Sequence, residues 1–226
     1  LVENSIDTYH ALVVHQRYLS KYMRLSNDEQ MRLMRGEAAG RGRQLDNGHA
    51  VMETPIFRTP ISSQSDTLSN HRQGLVARYG EARTSEIADV TRNLFLFPNF
   101  IFISNWHTVR TFEPVSPGYM EVTSWGLLPG GESAEMRKAR VDNFVSFLGP
   151  AGFGTPDDVE ALEGCQRGYA ADPDAWSDLS RGMGREAPLA SDELQMRSFW
   201  RRWRDMLQAH RLGDDTPLRP QPACSA

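Results

Sequence analysis

Between residues 94 and 128 the hydrophobic pattern repeats every two residues, and this constrains the fold more than any other stretch. Runs over 94–97, 100–103, 107–115 and 119–128 are rich in aromatic and β-branched residues. Pro98-Asn99 and Ser116-Pro117-Gly118 interrupt them as turns. Short strands separated by such turns pair antiparallel. The spacing therefore predicts three or four antiparallel strands. Alternation in His107-Thr108-Val109-Arg110-Thr111-Phe112 and Met120-Glu121-Val122-Thr123-Ser124-Trp125 gives the sheet one packed face and one more polar face.

A packed face needs a cover, and helical patterns on both sides supply it. Helices are predicted over 1–23, 26–40, 67–92, 133–148, 155–170 and 191–210. In 133–148 the residues Val141, Phe144, Val145 and Leu148 form one stripe, and in 191–210 Phe199, Trp200, Trp203, Met206 and Leu207 form another. Residues 42–54 read as a turn followed by an extended piece, with Asn47-Gly48 as the turn signal. Residues 55–66 read as a surface loop and 171–190 as a loop rich in Gly, Pro and Asp. The proline-rich 213–226 is expected to be a disordered tail, leaving one domain over 1–212. The fold class is thus α+β, an antiparallel sheet with packed helices.

Bulk numbers exclude several functions. A net charge of −4 offers no electrostatic attraction for nucleic acid or an anionic membrane surface. No run of 18 apolar residues is present, so no membrane-spanning helix is expected. Cys165 and Cys224 are the only two cysteines, too few for a disulfide framework or a four-cysteine metal site within this chain. The chain opens inside an element without an initiator methionine, and the expectation is a piece of a longer protein with a further region before Leu1.

Chemistry concentrates in two stretches of this domain, residues 1–15 and 155–158. Residues 1–15 place Asn4, Asp7, Tyr9, His10 and His15 among apolar neighbours. Positions three apart share a helix face, so the Asp7 carboxylate reaches the His10 ring, as in many metal-bound histidines. Five positions turn a regular helix by about 500°, which leaves His10 and His15 about 140° apart. To meet at one ion, the backbone over Ala11–Val14 is predicted to bend, tighten or end. Paired histidines near a chain start also serve as surface or capping residues. Asp157 and Asp158 have a ready structural role as well: Thr155 as N-cap, Pro156 in the first turn, and acids favoured by the helix dipole. Two histidines and one carboxylate with open positions are the facial triad of non-haem iron(II) oxygenases.

The run Glu3-Asn4-Ser5-Ile6-Asp7-Thr8-Tyr9-His10 followed by His15 resembles the iron-site motif of Rieske non-haem iron aromatic ring-hydroxylating dioxygenases, in the catalytic part of the large (alpha) subunit. The run Phe147-Leu148-Gly149-Pro150-Ala151-Gly152-Phe153-Gly154-Thr155-Pro156-Asp157-Asp158 resembles a second motif of that family in the expected order. The likeness continues through Glu163, Gln166 and Phe199-Trp200-Arg201-Arg202-Trp203, covering residues 1–207.

The resemblance implies a helix-grip, START-like catalytic domain. It implies that His10 and His15 bind a mononuclear Fe(II) and that Asp158 supplies the carboxylate, with Asp157 as the alternative. Asn4 matches an amide near the iron. Asp7 matches the acid bridging the His10 ring to a Rieske histidine of a neighbouring subunit, and Tyr9 matches an aromatic beside the site. Leu148, Gly154 and Leu162 match substrate-pocket positions, while Phe97, Asn99, Phe102, Phe112, His49 and His107 are further pocket candidates from the strand region. The [2Fe–2S] cluster would lie in an upstream domain, fed from NADH through a reductase or ferredoxin. The reaction would be cis-dihydroxylation of an aromatic ring with O2. Partners would be a beta subunit and sister alpha subunits, as α3β3 or α3, in a bacterial cytoplasm, with no nucleic acid or membrane. Two alternatives remain: a related Rieske-type monooxygenase or demethylase, and a non-catalytic helix-grip ligand-binding domain.

Overall fold

The computed structural model describes residues 1–22, 24–28, 31, 40–55 and 66–211, with side chains from 72 onward in the last segment. Six strands form one antiparallel meander: β1 (Arg41–Gln44), β2 (Ala50–Pro55), β3 (Val90–Leu96), β4 (Phe100–Ile103), β5 (Thr108–Ser116) and β6 (Tyr119–Gly126). The four runs expected between 94 and 128 are strands. The extended piece after Asn47-Gly48 is β2, and the turn before it pairs β2 with β1. Asn47 and Gly48 both have positive φ, 59° and 81°, as a tight hairpin of this type demands. A Cβ on Gly48 would stand 2.5 Å from the Arg202 Cβ, so the turn admits only glycine there.

The helices are α1 (Val2–Ser5), α2 (His10–Val14), α3 (Asp66–Ala88), α4 (Ala134–Leu148), α5 (Thr155–Ala171) and α6 (Leu194–Arg211), with a π-helical turn at Tyr18–Tyr22. The single helix expected over 1–23 is thus three short pieces. The helix expected over 67–92 stops at Ala88, because Val90 to Arg92 pair with β2, and it kinks at Gly80, where φ is 76°. The predicted helix over 26–40 and loop over 55–66 fall largely outside the described residues, and the tail over 213–226 wholly so. Among the described residues no helix is long and apolar enough to cross a membrane.

Opposed residues of antiparallel strands share a face. One face therefore carries Ala50, Phe95, Ile101, Arg110 and Ser124 in register, beside Met52, Asn93, Ile103, Thr108 and Gly126. Phe95, Ile101 and Ile103 join Val2 and Ile6 from the chain start and Phe199 from α6 in the core. The Phe95 and Phe199 rings meet edge to face at 5.6 Å. Buried Gln195 in α6 donates to the carbonyls of Ile6 and Ala190 at 2.9 and 3.0 Å, which ties the first residues to the last helix. On the outer layer, Glu53 is 3% exposed and receives Arg41 Nε at 2.6 Å, Arg92 Nε at 2.8 Å and Arg43 Nη2 at 3.3 Å. These contacts clamp β1, β2 and β3 together.

Burial pushes the Glu53 carboxyl up, but the hydrogen bonds from Arg41 and Arg92 and the charges of Arg43 and Arg41 outweigh it, leaving its pKa below the ordinary glutamate value. A depressed pKa adds stability above the unfolded value and loses it as pH falls through the folded one. Glu53→Gln should cost about 1.5–3 kcal/mol near neutral pH, the scale of charge-assisted hydrogen bonds. The gap to the wild type should close on the acid side; urea denaturation from neutral pH to below the carboxylate range measures both.

Candidate metal centre

The chain start is shaped by two breaks. After α1 the helical hydrogen bonding lapses over Ile6–Tyr9, and Asp7 turns back over the next helix. Its Oδ1 accepts from the His10 backbone N–H at 3.0 Å, capping α2, and lies 2.6 Å from the His10 Nδ1. The second break is at His15, which caps α2 with φ −102° and ψ 27°. Ala11–Val14 itself neither bends nor tightens; of the three outcomes predicted for this stretch, the helix ends, at Val14. The five-residue spacing is resolved one position later, because His15 steps off the end of the helix. The two imidazoles stand 5.3 Å apart at 82°.

Asp158 comes to them from the first turn of α5. Gly154, not Thr155, is the N-cap of this helix. The Thr155 hydroxyl instead donates to the Leu148 carbonyl at 2.9 Å, closing the turn that links α4 to α5. That turn points Asp158 inward and leaves Asp157 at the rim, with the side chains 11% and 43% exposed. Asp158 Oδ1 lies 3.1 Å from His15 Nε2 and 3.9 Å from His10 Nε2, and it accepts from Asn4 Nδ2 at 3.1 Å. One ligand atom from each of His10, His15 and Asp158 falls within 4.8 Å of the others.

The electrostatics favour positive charge among these groups. Burial pushes the His10 pKa down, yet the Asp7 hydrogen bond and charge, with the Asp158 charge, bring it above its ordinary value. Burial pushes Asp158 up, and the hydrogen bond and charge of His15, the Asn4 amide and the His10 charge bring it below. Imidazole nitrogens with one carboxylate oxygen suit a first-row divalent metal, and three donors leave coordination positions open. With Asp7 on Nδ1, the Nε2 of His10 remains to face an ion. The buried Nδ1 of His15 has no hydrogen-bond partner. The donor set fits a non-haem iron.

A cavity of about 210 Å³ opens beside the cluster, with Asn4, Asp7, His10, His15 and Asp158 in its wall. Phe147 forms the aromatic side, stacked on Trp106 at 4.4 Å and edge-on to His15 at 5.2 Å. Of the expected substrate positions, Leu148 lines this cavity, Leu162 lines a neighbouring cleft of about 880 Å³, and Gly154 lines neither. Phe97, Asn99, Phe102, Phe112, His49 and His107 also lie outside both. Phe97 and Phe112 pack against the core, and His49 accepts from the Phe97 N–H at 2.9 Å. Tyr9 is directed elsewhere, donating to Glu193 at 3.1 Å beneath the Arg181 guanidinium.

Sequence reasoning missed Trp106, Phe147 and Arg110 as cavity residues. Arg110 is the least expected, being 6% exposed on the inner face. Burial pushes its guanidinium pKa down, and the Asp158 carboxylate partly restores it. Its signal was phase: in the alternation of β5, Arg110 is two residues from the core-packed Phe112 and two from the buried Thr108.

A family model described as ring hydroxylating alpha subunit (catalytic domain) matches residues 1–209. Among curated relatives, the 2-halobenzoate 1,2-dioxygenase large subunit of Burkholderia cepacia is 32% identical over 188 residues, 80% of this chain and 40% of that protein. The anthranilate 1,2-dioxygenase large subunit of Acinetobacter baylyi is 29% identical over 197 residues, 80% of this chain and 41% of that protein. The chain thus spans about two fifths of the length of these relatives. Among solved structures, a naphthalene 1,2-dioxygenase with indole bound in the active site has a TM-score of 0.70 at 20% identity, over 95% of this chain and 52% of that one. A mutant of naphthalene 1,2-dioxygenase bound to phenanthrene has a TM-score of 0.71 at 19% identity, over 89% and 50%. These share the fold of the mixed helix and antiparallel sheet described above.

A Cβ at Gly154 would stand 2.7 Å from the Phe147 ring and 2.9 Å from its carbonyl. Gly154→Ala should therefore displace Phe147 and cost about 1–3 kcal/mol, the usual range for overpacking. Urea denaturation measures the loss, and a variant as stable as the wild type would show that the ring yields freely.

Proposed function

The chain belongs to the ring-hydroxylating alpha subunit family, as its catalytic domain, and from that premise we propose that it inserts dioxygen into an aromatic ring at a mononuclear Fe(II). His10, His15 and Asp158 would hold the metal. The observation that carries this reading is the convergence of three ligand atoms within 4.8 Å at the wall of a cavity with an aromatic side. Bound there, Fe(II) supplies the activation of dioxygen, for which a facial triad leaves coordination positions free.

The chain's own residues do the positioning. Asp7 fixes the orientation and tautomer of the His10 ring through its Nδ1. Asn4 holds the Oδ1 of Asp158, the oxygen that faces the two histidines. Phe147, Trp106, Met52 and Ile103 keep the cavity apolar, which presents the flat face of a substrate ring and limits water. The reaction takes up one dioxygen, two electrons and two protons and gives a cis-dihydrodiol. The electrons originate in NADH and arrive through a reductase or ferredoxin and a Rieske [2Fe–2S] centre, whose paired cysteine–histidine motifs this sequence does not contain. Asp7 lies on the outer side of the His10 ring from the metal and is the entry point for those electrons from a neighbouring alpha subunit. A beta subunit, an α3β3 or α3 assembly and a bacterial cytoplasm complete the proposal.

Iron analysis after anaerobic loading with Fe(II) tests it. The wild type should bind one iron, His10→Ala and Asp158→Asn should lose it, and Asp157→Asn should retain it. Retention of iron by His10→Ala with an unchanged melting curve would refute the assignment. Product formation is read separately, as a cis-diol from an aromatic acid or hydrocarbon when reductase and NADH are supplied.

A further inference from the structure

The two imidazoles of the cluster are held unequally. His10 has Asp7 Oδ1 at 2.6 Å from its Nδ1, so its outer nitrogen is partnered and its Nε2 is left for an ion. His15 is held on the inner side alone, with Nε2 at 3.1 Å from Asp158 Oδ1. Its side chain is 3% exposed, and its buried Nδ1 has no hydrogen-bond partner.

An ion makes that difference matter. A neutral imidazole carries one N–H. On Nε2 of His15 the proton points at Asp158, and Nδ1 is a lone pair that tolerates burial. An ion among His10, His15 and Asp158 takes the Nε2 lone pair instead, so the ring proton must sit on Nδ1. Nδ1 then becomes a buried donor, and a buried donor without an acceptor is strongly disfavoured.

Asp157 stands next to that nitrogen. Its Oδ2 lies 3.9 Å from His15 Nδ1, too far for a hydrogen bond but close enough for a side-chain rotation to make one. The Asp157 side chain is 43% exposed, and among the described residues no hydrogen bond or second ion pair restrains it. Asp157 and Asp158 are consecutive in the first turn of α5, and they flank opposite nitrogens of one imidazole.

We propose that Asp157 is a positioning residue of the metal centre: with an ion bound, its carboxylate accepts the His15 Nδ1–H, as the Asp7 carboxylate does for His10. This rests on the reading of His10, His15 and Asp158 as metal ligands. Each imidazole then has its own outer carboxylate, one from the chain start and one from α5. Asp157 is thereby neither a ligand nor only an acid that suits the helix dipole.

Zinc(II), which is diamagnetic, is the probe, added to the metal-stripped full chain of the wild type, Asp157→Asn and Asp157→Ala. NMR of the histidine side-chain nitrogens reads which one carries the proton. In the wild type, zinc should move the His15 proton to Nδ1 and give a slowly exchanging downfield N–H resonance. That resonance should shift upfield in Asp157→Asn, whose amide oxygen still accepts, and be lost to exchange in Asp157→Ala. Competition titrations should show zinc held about 10–100-fold more weakly by Asp157→Ala, the usual cost of losing such an outer partner, with Asp157→Asn in between. Equal zinc affinity in all three proteins, or equal weakening by Asn and Ala with the N–H unmoved, overturns the proposal. The second pattern is what a helix-dipole role gives, since neither replacement is charged. Thermal melts of the metal-free proteins check folding, and the Asn variant carries the N–H test by itself if Ala does not fold. A wild type whose His10 and His15 nitrogens ignore zinc overturns the metal reading and this one with it. Zinc bound by both imidazoles with no response to Asp157 overturns this one alone.

Discussion

The structure turns on a carboxylate that cannot be buried alone. Asp158 is 8% exposed, and a charge at that depth needs partners. It finds them far away in sequence: Asn4 Nδ2 at 3.1 Å and His15 Nε2 at 3.1 Å, both from the chain start. These contacts tie the first helical turns to the beginning of α5 without any covalent link. They also place two imidazoles and a carboxylate around one point, so what offsets the burial of Asp158 also assembles the donor set. Asp7 repeats the arrangement on the outer side of His10, holding both the backbone N–H and the ring.

Everything nearby serves to hold those two chain segments in register. Gln195 fastens Ile6 to α6, and Asn93 Nδ2 donates to the Ser5 carbonyl at 2.9 Å, anchoring the same segment to β3. Ile6 fills the core against Phe95 and Ile101, so the break between α1 and α2 is fixed by packing below and by Asp7 above. On the other side, the α4–α5 turn is closed by Thr155 on the Leu148 carbonyl and by the Gly154 N–H on the Phe147 carbonyl at 2.9 Å. The small residue at Gly154 lets the Phe147 ring fold over its own turn and stack on Trp106. A tight turn thus sets both the reach of Asp158 and the aromatic wall beside it.

Local signals were readable where one physical cause dominates. Asn47-Gly48 demanded a hairpin and made one; Pro98-Asn99 and Ser116-Pro117-Gly118 cut the strands where the period of two predicted. The two motifs carrying the resemblance named residues that the fold brings together, although Asn4 and Asp158 stand 154 positions apart. Legibility failed where tertiary contacts compete with local preference. Thr155 is a good N-cap by type, yet its hydroxyl is taken by the Leu148 carbonyl and Gly154 caps instead. Val90 and Arg92 continue a helical pattern, but pairing with Pro55 and Glu53 makes them strand. The breaks at Ile6–Tyr9 and His15 follow from long-range anchors that helical periodicity does not register.

Arg110 shows the same limit from the other direction. Strand alternation treats a charged residue as outward by default, and here the arginine shares its face with Ile101 and Phe95. The sheet tolerates it because the region beyond Ile101 is not closed core: Arg110, Leu148 and Asp158 line both the cavity and the adjoining cleft. Three side chains of different chemistry therefore form the partition between the two spaces. An apolar residue at that position would fill the partition more cheaply. An arginine there sets a fixed charge where the inner face of the sheet meets open volume.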